Sequence, residues 1–245
     1  MRLLLPAICL LLSACASSPM ASFDTLLPAD AVLLGEQHDA QDHQRWHHDA
    51  VRALASRGAL AALALEMAEQ GTSTAGLPRD ADEAAVRAAL RWNDEAWPWT
   101  AYGPAVMAAL KSGVPVLGAN LPRDQMRASM ADARLDTLLK PEAFEQQRKA
   151  MAEGHCGLLP ESQLVPMARI QVARDRAMAR TVAQAARPGQ TVLLVAGAGH
   201  VDTSLGVPQH LPPALQTHSL EWPKQPPKKD YCAELRQRMT PARTQ

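Results

Sequence analysis

The chain has 245 residues, and its 25 Lys and Arg balance 25 Asp and Glu, giving a formal net charge of zero. That balance argues against a nucleic-acid binder, which carries a basic excess, and a 47% hydrophobic content is too high for a disordered chain. Four cysteines are too few for a disulfide scaffold, and with aromatics at only 4% any cluster of them is informative.

Met1-Arg2 is a short basic start to an apolar run, Leu3 to Leu12. That run has the form of a secretory h-region and is too short to span a bilayer, which needs roughly 20 residues. Leu12-Ser13-Ala14-Cys15 resembles a bacterial lipobox. The resemblance implies a signal peptide over 1–14, cleavage before Cys15 and lipidation of Cys15, with two or three acyl chains giving stable anchoring. Ala16 in place of Asp favours the outer membrane, facing the periplasm. Residues 15–28 then read as a lipid-anchored linker, 29–221 as one α/β domain and 222–245 as a Pro-rich tail.

Ala31 to Gly35 is a buried-strand pattern. A helix follows from Asp39 or Asp42 to the stop at Gly58, and Ala59 to Leu65 is a second strand ending in Glu66. A short helix over 80–90 precedes an aromatic stretch, Trp92 to Tyr102, that has no regular period and reads as a loop. Tyr102-Gly103-Pro104 opens the next helix, through Leu110. Val114 to Gly118 is a third strand, whose Pro115 suits an edge or an early position. Helices are predicted at about 123–133, 141–152 and 164–186, then the clear strand Thr191 to Ala196 and a weaker one at Leu215 to Leu220. Strands separated by helices predict a mainly parallel sheet covered on both faces. Six prolines between 206 and 228 predict an extended, irregular end.

Polar residues collect where these strands stop. Gly35-Glu36-Gln37-His38-Asp39 follows the first, Glu66 the second, Asn120, Pro122 and Arg123 the third, and Gly197-Ala198-Gly199-His200-Val201-Asp202 the fourth. Ligands of parallel sheets bind outside the carboxyl ends of the strands, so these groups are expected to share one crevice. Each glycine-rich turn delivers a His at G-x-x-H spacing, where glycine allows close backbone approach and His can ligate metal or move protons. Taken singly, each His reads equally well as a hydrogen-bonded structural residue.

GEQHD, the ALEM of residues 64–67, WPWTAYGP, GANLPR and AGAGHVD together resemble the ChaN-like haem-binding lipoproteins of the Tiki/TraB superfamily. The likeness runs from residue 31 to about 202 and includes His155-Cys156-Gly157 and the Gln171 to Asp175 stretch. It implies the family's α/β fold and a role in haem or iron uptake. In the wider superfamily paired G-x-x-H motifs and a Glu form a metal-dependent hydrolase centre. Carried over, the metal set would be His38, His200, Glu66 and Glu36, with Glu36 or Glu66 as the catalytic carboxylate.

Four of the nine aromatics fall between Trp92 and Tyr102. Such a loop offers either a wall for a porphyrin, with Trp97, Trp99 and Tyr102 against it, or a plug sealing the sheet. In the first case Tyr102, His38 or His200 would meet the iron, and Arg91 and Arg123 the propionates. No C-x-x-C-H motif is present, so haem would be held non-covalently. His43 and His47 share a helix face; His47 reads as a solvated polar position and His43 as the one nearer His38. Arg174 and Asp175 read either as a solvated ion pair or as crevice residues. Cys156 and Cys232, in an oxidising compartment, are expected as a disulfide, with Cys156 as a free thiol ligand the alternative.

Two functions follow. One is an envelope lipoprotein that binds haem or iron for acquisition, with a homodimer and an outer-membrane receptor as expected partners and nucleic acid excluded. The other is a hydrolase using a divalent metal ion.

Overall fold

The computed structural model describes residues 19–239, so the lipobox and Cys15 lie outside the described residues. A short helix α1 (Pro19–Asp24) leads into β1 (Ala31–Glu36), α2 (Gln41–Ser56) and β2 (Leu60–Glu69). Then come α3 (Glu83–Ala89), α4 (Trp99–Lys111), β3 (Val116–Asn120), α5 (Arg123–Ala131), α6 (Pro141–Gly154) and the long α7 (Glu161–Ala185). The chain continues through β4 (Thr191–Gly197), the single turn α8 (Ala198–Val201), β5 (Thr217–Glu221) and α9 (Tyr231–Met239). Among the described residues no helix is long and apolar enough to cross a membrane.

The five strands form one sheet in the order β3-β2-β4-β1-β5, and every neighbouring pair is parallel. β3 is an edge strand, as the proline just before it suits. The chain first moves from β1 outward to β3 and then returns through β4 to β5. Right-handed crossovers therefore place α2 and α4 on one face and α7 on the other. The core divides the same way. Val32, Leu34, Leu63 and Leu65 pack with Val51, Leu54, Val106 and Leu110 on the first face. Ala31, Leu33, Ala62, Ala64 and Ala196 pack with Met178 and Val182 on the second. The small side chains on that second face let α7 lie close to the sheet.

Side chains of a strand alternate between faces, and this alternation fixes where the strand-end acids point. Continuing 32 and 34, Glu36 faces α2 and α4; continuing 62 and 64, Glu66 faces α7. Both are only 2% exposed. One crevice thus carries two carboxylates from opposite sides of the sheet.

Three stretches differ from expectation. α4 begins at Trp99, not at Tyr102, because the Asp94 carboxylate accepts from the Trp99 amide at 2.7 Å and starts the helix, leaving Pro104 inside it. Residues 19–28 include α1, whose Phe23 is fully buried, so this part of the expected linker is packed onto the body. The tail is extended only between Trp222 and Asp230; beyond the prolines it forms α9.

Candidate functional site

A cavity of about 1240 Å³ opens over the carboxyl ends of the strands. β1 and β2 lead to helices of the first face, whereas β4 between them leads to α8 on the second, so the cavity lies at a topological switch point. A smaller cavity of about 590 Å³ at the opposite end, beside Asp24 and Arg57, holds none of the strand-end groups.

On the first face Glu36 is the hub. Its Oε1 accepts from the Tyr102 hydroxyl at 2.6 Å and lies 2.6 Å from His38 Nδ1. A carboxylate has no proton to give, so His38 donates from Nδ1 and keeps Nε2 as a lone pair. Burial alone would lower the His38 pKa, but the Glu36 hydrogen bond and the charges of Glu66 and Glu36 raise it above the ordinary value. Tyr102 is pushed strongly upward by burial and by the Glu36 charge, which keeps its hydroxyl protonated. Beneath them, His47 Nδ1 is 3.3 Å from Glu36 Oε2 without hydrogen-bonding geometry, and neither ring nitrogen has a partner. Burial drives the His47 pKa down to about 4, so the ring is neutral.

The helix face carrying His43 and His47 is therefore not solvated: both are buried. His43 accepts from the Gln37 amide and donates from Nε2 to the Pro223 carbonyl, each at 3.0 Å, which fixes it as a neutral tautomer. Its role is to join α2, the first G-x-x-H turn and the tail.

On the second face Glu66 Oε1 accepts from Arg174 Nη2 at 2.5 Å, and Oε2 accepts from the Gly197 amide at 2.7 Å. His200 Nε2 stands 3.6 Å from Glu66 Oε1, while its Nδ1 lies 2.6 Å from Asp175 Oδ1. Burial would raise the Glu66 pKa, yet His200, Arg174, His38 and the Gly197 amide overcome it and lower the pKa to about 2. Asp175 goes the other way, because burial outweighs the pull of His200. Arg174 and Asp175 are thus crevice residues serving different partners, and Arg174 also donates to Asn120 at 2.9 Å.

Gly197 is where the two halves meet. A Cβ there would lie 2.9 Å from His38 Nε2 and 3.6 Å from Glu66 Oε2. Only glycine lets the His38 ring lie over the end of β4. The four residues expected to hold a metal surround this point, but they are divided. Glu36 serves His38 and Tyr102, and Glu66 serves Arg174. Among the described residues no group of three or more His, Cys, Asp or Glu side chains is placed to hold an ion.

The aromatic stretch is also divided. Trp97 packs edge-on against His38, with ring centroids 4.9 Å apart, and lines the cavity. Tyr102 borders it through its hydroxyl. Trp99 does not: it is buried under Trp92, its indole N–H donating to Glu83 at 2.8 Å. The porphyrin wall and the plug were not alternatives, because Trp97 is on the cavity side and Trp99 on the core side of one segment. Arg91 and Arg123 border a separate recess of about 370 Å³ next to Trp97, Glu66 and Arg174.

Gln147 and Met151 of α6 and Gln171 of α7 form one wall of the cavity. The tail lines it too, with Lys224, Lys228, Lys229 and Tyr231. Cys156, at the turn between α6 and α7, forms a disulfide with Cys232 of α9 and so ties that turn to the tail. Sequence reasoning missed the tail's part in the site. Its lysines stand among prolines, a composition that indicates extended chain but not the surface it crosses.

The residues present fit haem. The cavity exceeds the roughly 300–1000 Å³ that suits drug-sized ligands. Trp97 gives a flat apolar face, and 41% of the His38 side chain is open to solvent, with the proton held on the far nitrogen. A carboxylate behind an imidazole is the usual support of an iron- or zinc-ligating histidine.

The family described as "Haem-binding uptake, Tiki superfamily, ChaN" matches residues 22–211. The chain is also similar to the solved structure described as "Cofacial heme binding to ChaN of Campylobacter jejuni", at 25% identity and a TM-score of 0.69, over 84% of this chain and 86% of that one. No curated protein matches it. With most of its length matched, the chain belongs to the haem-binding uptake family of the Tiki superfamily, ChaN.

Proposed function

We propose that this protein is a lipid-anchored envelope protein that binds haem non-covalently over the carboxyl ends of its strands and serves haem or iron acquisition. The observation that carries the reading is the Glu36–His38 pair: an imidazole of fixed tautomer, opening into a large cavity beside Trp97. In this reading His38 Nε2 would hold the iron. Tyr102 is a poor competitor, since its proton is engaged by Glu36 and its ionisation is strongly disfavoured. Haem would supply the iron, and the chain's residues hold, orient and partly cover it.

Anchoring at the outer membrane rests on the lipobox resemblance of Leu12 to Cys15. A homodimer, with a second copy of the chain covering the cavity mouth, belongs to the same reading.

Titration of the purified protein with haem, followed by the Soret band, tests the binding. Saturable binding in the wild type, lost or with a shifted Soret maximum in His38→Ala and kept in Tyr102→Phe, is the expected result. The reverse pattern in the two variants would overturn the His38 assignment, and no saturable binding at all would overturn the function. Sedimentation with and without haem reads the oligomeric state, and metabolic labelling with a fatty acid, absent in Cys15→Ser, reads the anchor.

A further inference from the structure

The matched family region ends at residue 211, yet the turn that carries His38 is held from beyond it. The Trp222 amide donates to the Gly35 carbonyl at 3.0 Å, and the Gln225 amide donates to the Gln37 side chain at 3.1 Å. Asp39 accepts from the Lys228 amide at 2.8 Å and from the Tyr231 hydroxyl at 2.9 Å. Both chain neighbours of His38 are therefore bonded to the tail. Tyr231 is next to Cys232, so the Cys156–Cys232 bond fixes the end of this run.

The end itself is lightly seated: no side chain between Tyr231 and Arg238 is buried. The bond joins no strand to another, and a chain of this length buries a core without a disulfide staple. Cys156 is also an unusual residue for its place. α6 ends in a glycine-type stop, the Cys156 amide donating to the Glu153 carbonyl at 2.9 Å and the Gly157 amide to the Ala152 carbonyl at 2.8 Å. The first residue of that stop takes a left-handed φ, here 58°, where glycine is usual and a Cβ is disfavoured. Backbone geometry does not select cysteine there; its sulfur does. Both cysteines are half-buried and neither belongs to a hydrophobic core, so a thiol can approach without unfolding the body.

We propose that the Cys156–Cys232 bond is a site of thiol–disulfide exchange with a dithiol protein, and that opening it frees the tail and weakens haem binding beside His38. The second half rests on the haem reading above. In the exchange a thiolate of the dithiol attacks one sulfur of the bond, which breaks as a mixed disulfide forms, and the second thiol then displaces that link. Cys156 and Cys232 gain two electrons and two protons as thiols, and the dithiol becomes a disulfide. The Lys228 and Tyr231 bonds to Asp39 are exposed, and each is modest by itself once the covalent link is gone. The turn on which His38 stands then loses its outer support.

The experiment treats the oxidised protein with reduced thioredoxin, alkylates the thiols, removes the reagents and then titrates with haem. The expected result is alkylation of the Cys156 and Cys232 peptides with the circular dichroism of the body unchanged, and a haem affinity lower by roughly three- to tenfold. In Asp39→Ala, which disconnects the tail from the His38 turn, affinity should already be lowered, and reduction should lower it little further. Peptides alkylated only after denaturation, or a reduction that unfolds the body, would overturn the exchange site. Alkylation with unchanged affinity, or an equal loss in Asp39→Ala, would overturn its link to His38. Failure of the untreated protein to bind haem would overturn the haem reading and the link with it, while alkylation still decides the exchange.

Discussion

Glu36 Oε1 lies 2.6 Å from His38 Nδ1, and this contact decides which nitrogen His38 can offer to a ligand. Glu36→Gln keeps the size of the side chain but removes the charge that raises the His38 pKa. The His38 titration, followed by NMR of the imidazole protons, should move to lower pH. A protonated ring has no lone pair for iron, so wild-type haem affinity should fall as pH drops through the raised pKa. In Glu36→Gln that fall should begin at lower pH, from a starting affinity weakened roughly tenfold to a hundredfold by loss of the supporting carboxylate. An unchanged titration would show that Glu36 does not control the ring.

Glu66 sets a second pH dependence. Its folded pKa of about 2 is below the ordinary 4.5, so it stabilises the fold fully above the ordinary value, and that stability is lost as pH falls towards 2. The span corresponds to on the order of 3 kcal/mol. Glu66→Gln leaves Arg174 without its charged partner and should destabilise at neutral pH by roughly 3–5 kcal/mol. Urea unfolding at several pH values should show the gap between wild type and variant closing between about pH 4.5 and 2. A constant gap would contradict the assignment.

His47 contributes in a different window. A buried base whose pKa falls from 6.5 to about 4 binds fewer protons folded than unfolded, so stability declines as pH drops from 6.5 to 4. Because neither ring nitrogen is hydrogen-bonded, His47→Leu removes an unsatisfied group. It should leave stability at pH 7 within about 1 kcal/mol of wild type and flatten this part of the profile. A steep loss of stability at pH 7 would mean that the 3.3 Å approach to Glu36 matters more than its geometry indicates.

Period and punctuation made the sheet legible. Apolar runs ending at Gly35, Glu66 and Gly197 mark β1, β2 and β4, and their ends mark the crevice. The facing of each acid was not readable, since it depends on which helix covers which side. For that reason Arg174, next to Asp175 in sequence, pairs instead with Glu66, 108 positions away. His47 was misleading for a related cause: a polar side chain looks solvated until the tail that covers it is known, and Trp222, with ring centroids 6.3 Å apart, is part of that cover.

The tail from Trp222 to Cys232, a strap held by its Asp39 contacts and the disulfide, also makes a prediction about proteolysis. Lys224, Lys228 and Lys229 are exposed, but the chain around them is held by the Asp39 contacts and by the disulfide. Opening the bond in Cys156→Ser/Cys232→Ser should leave the sheet folded and release the strap, so that trypsin removes the tail markedly faster than from wild type. Trp222, buried near Trp46 with ring centroids 5.3 Å apart, should report the release as a change in fluorescence. Equal cleavage rates under both conditions would show that the hydrogen bonds hold the strap without the disulfide.

Two glycines separate effects on the site from effects on the fold. At Gly118 a Cβ would strike the Glu69 backbone carbonyl and the Thr72 hydroxyl oxygen, and backbone beside a strand cannot swing aside. Gly118→Ala should therefore lower stability by at least about 1–3 kcal/mol in urea unfolding. At Gly197 the nearest neighbour is the far end of the His38 side chain, at 2.9 Å, and the backbone there has ordinary negative φ. Gly197→Ala should keep stability within about 1 kcal/mol of wild type, since His38 can rotate outward. That rotation would break the 2.6 Å bond to Glu36, so the same variant should lose most of its haem affinity and its raised His38 pKa together. Normal haem binding in Gly197→Ala would show that the ring's position over β4 is dispensable, and with it the site as drawn around Glu36, His38 and Gly197.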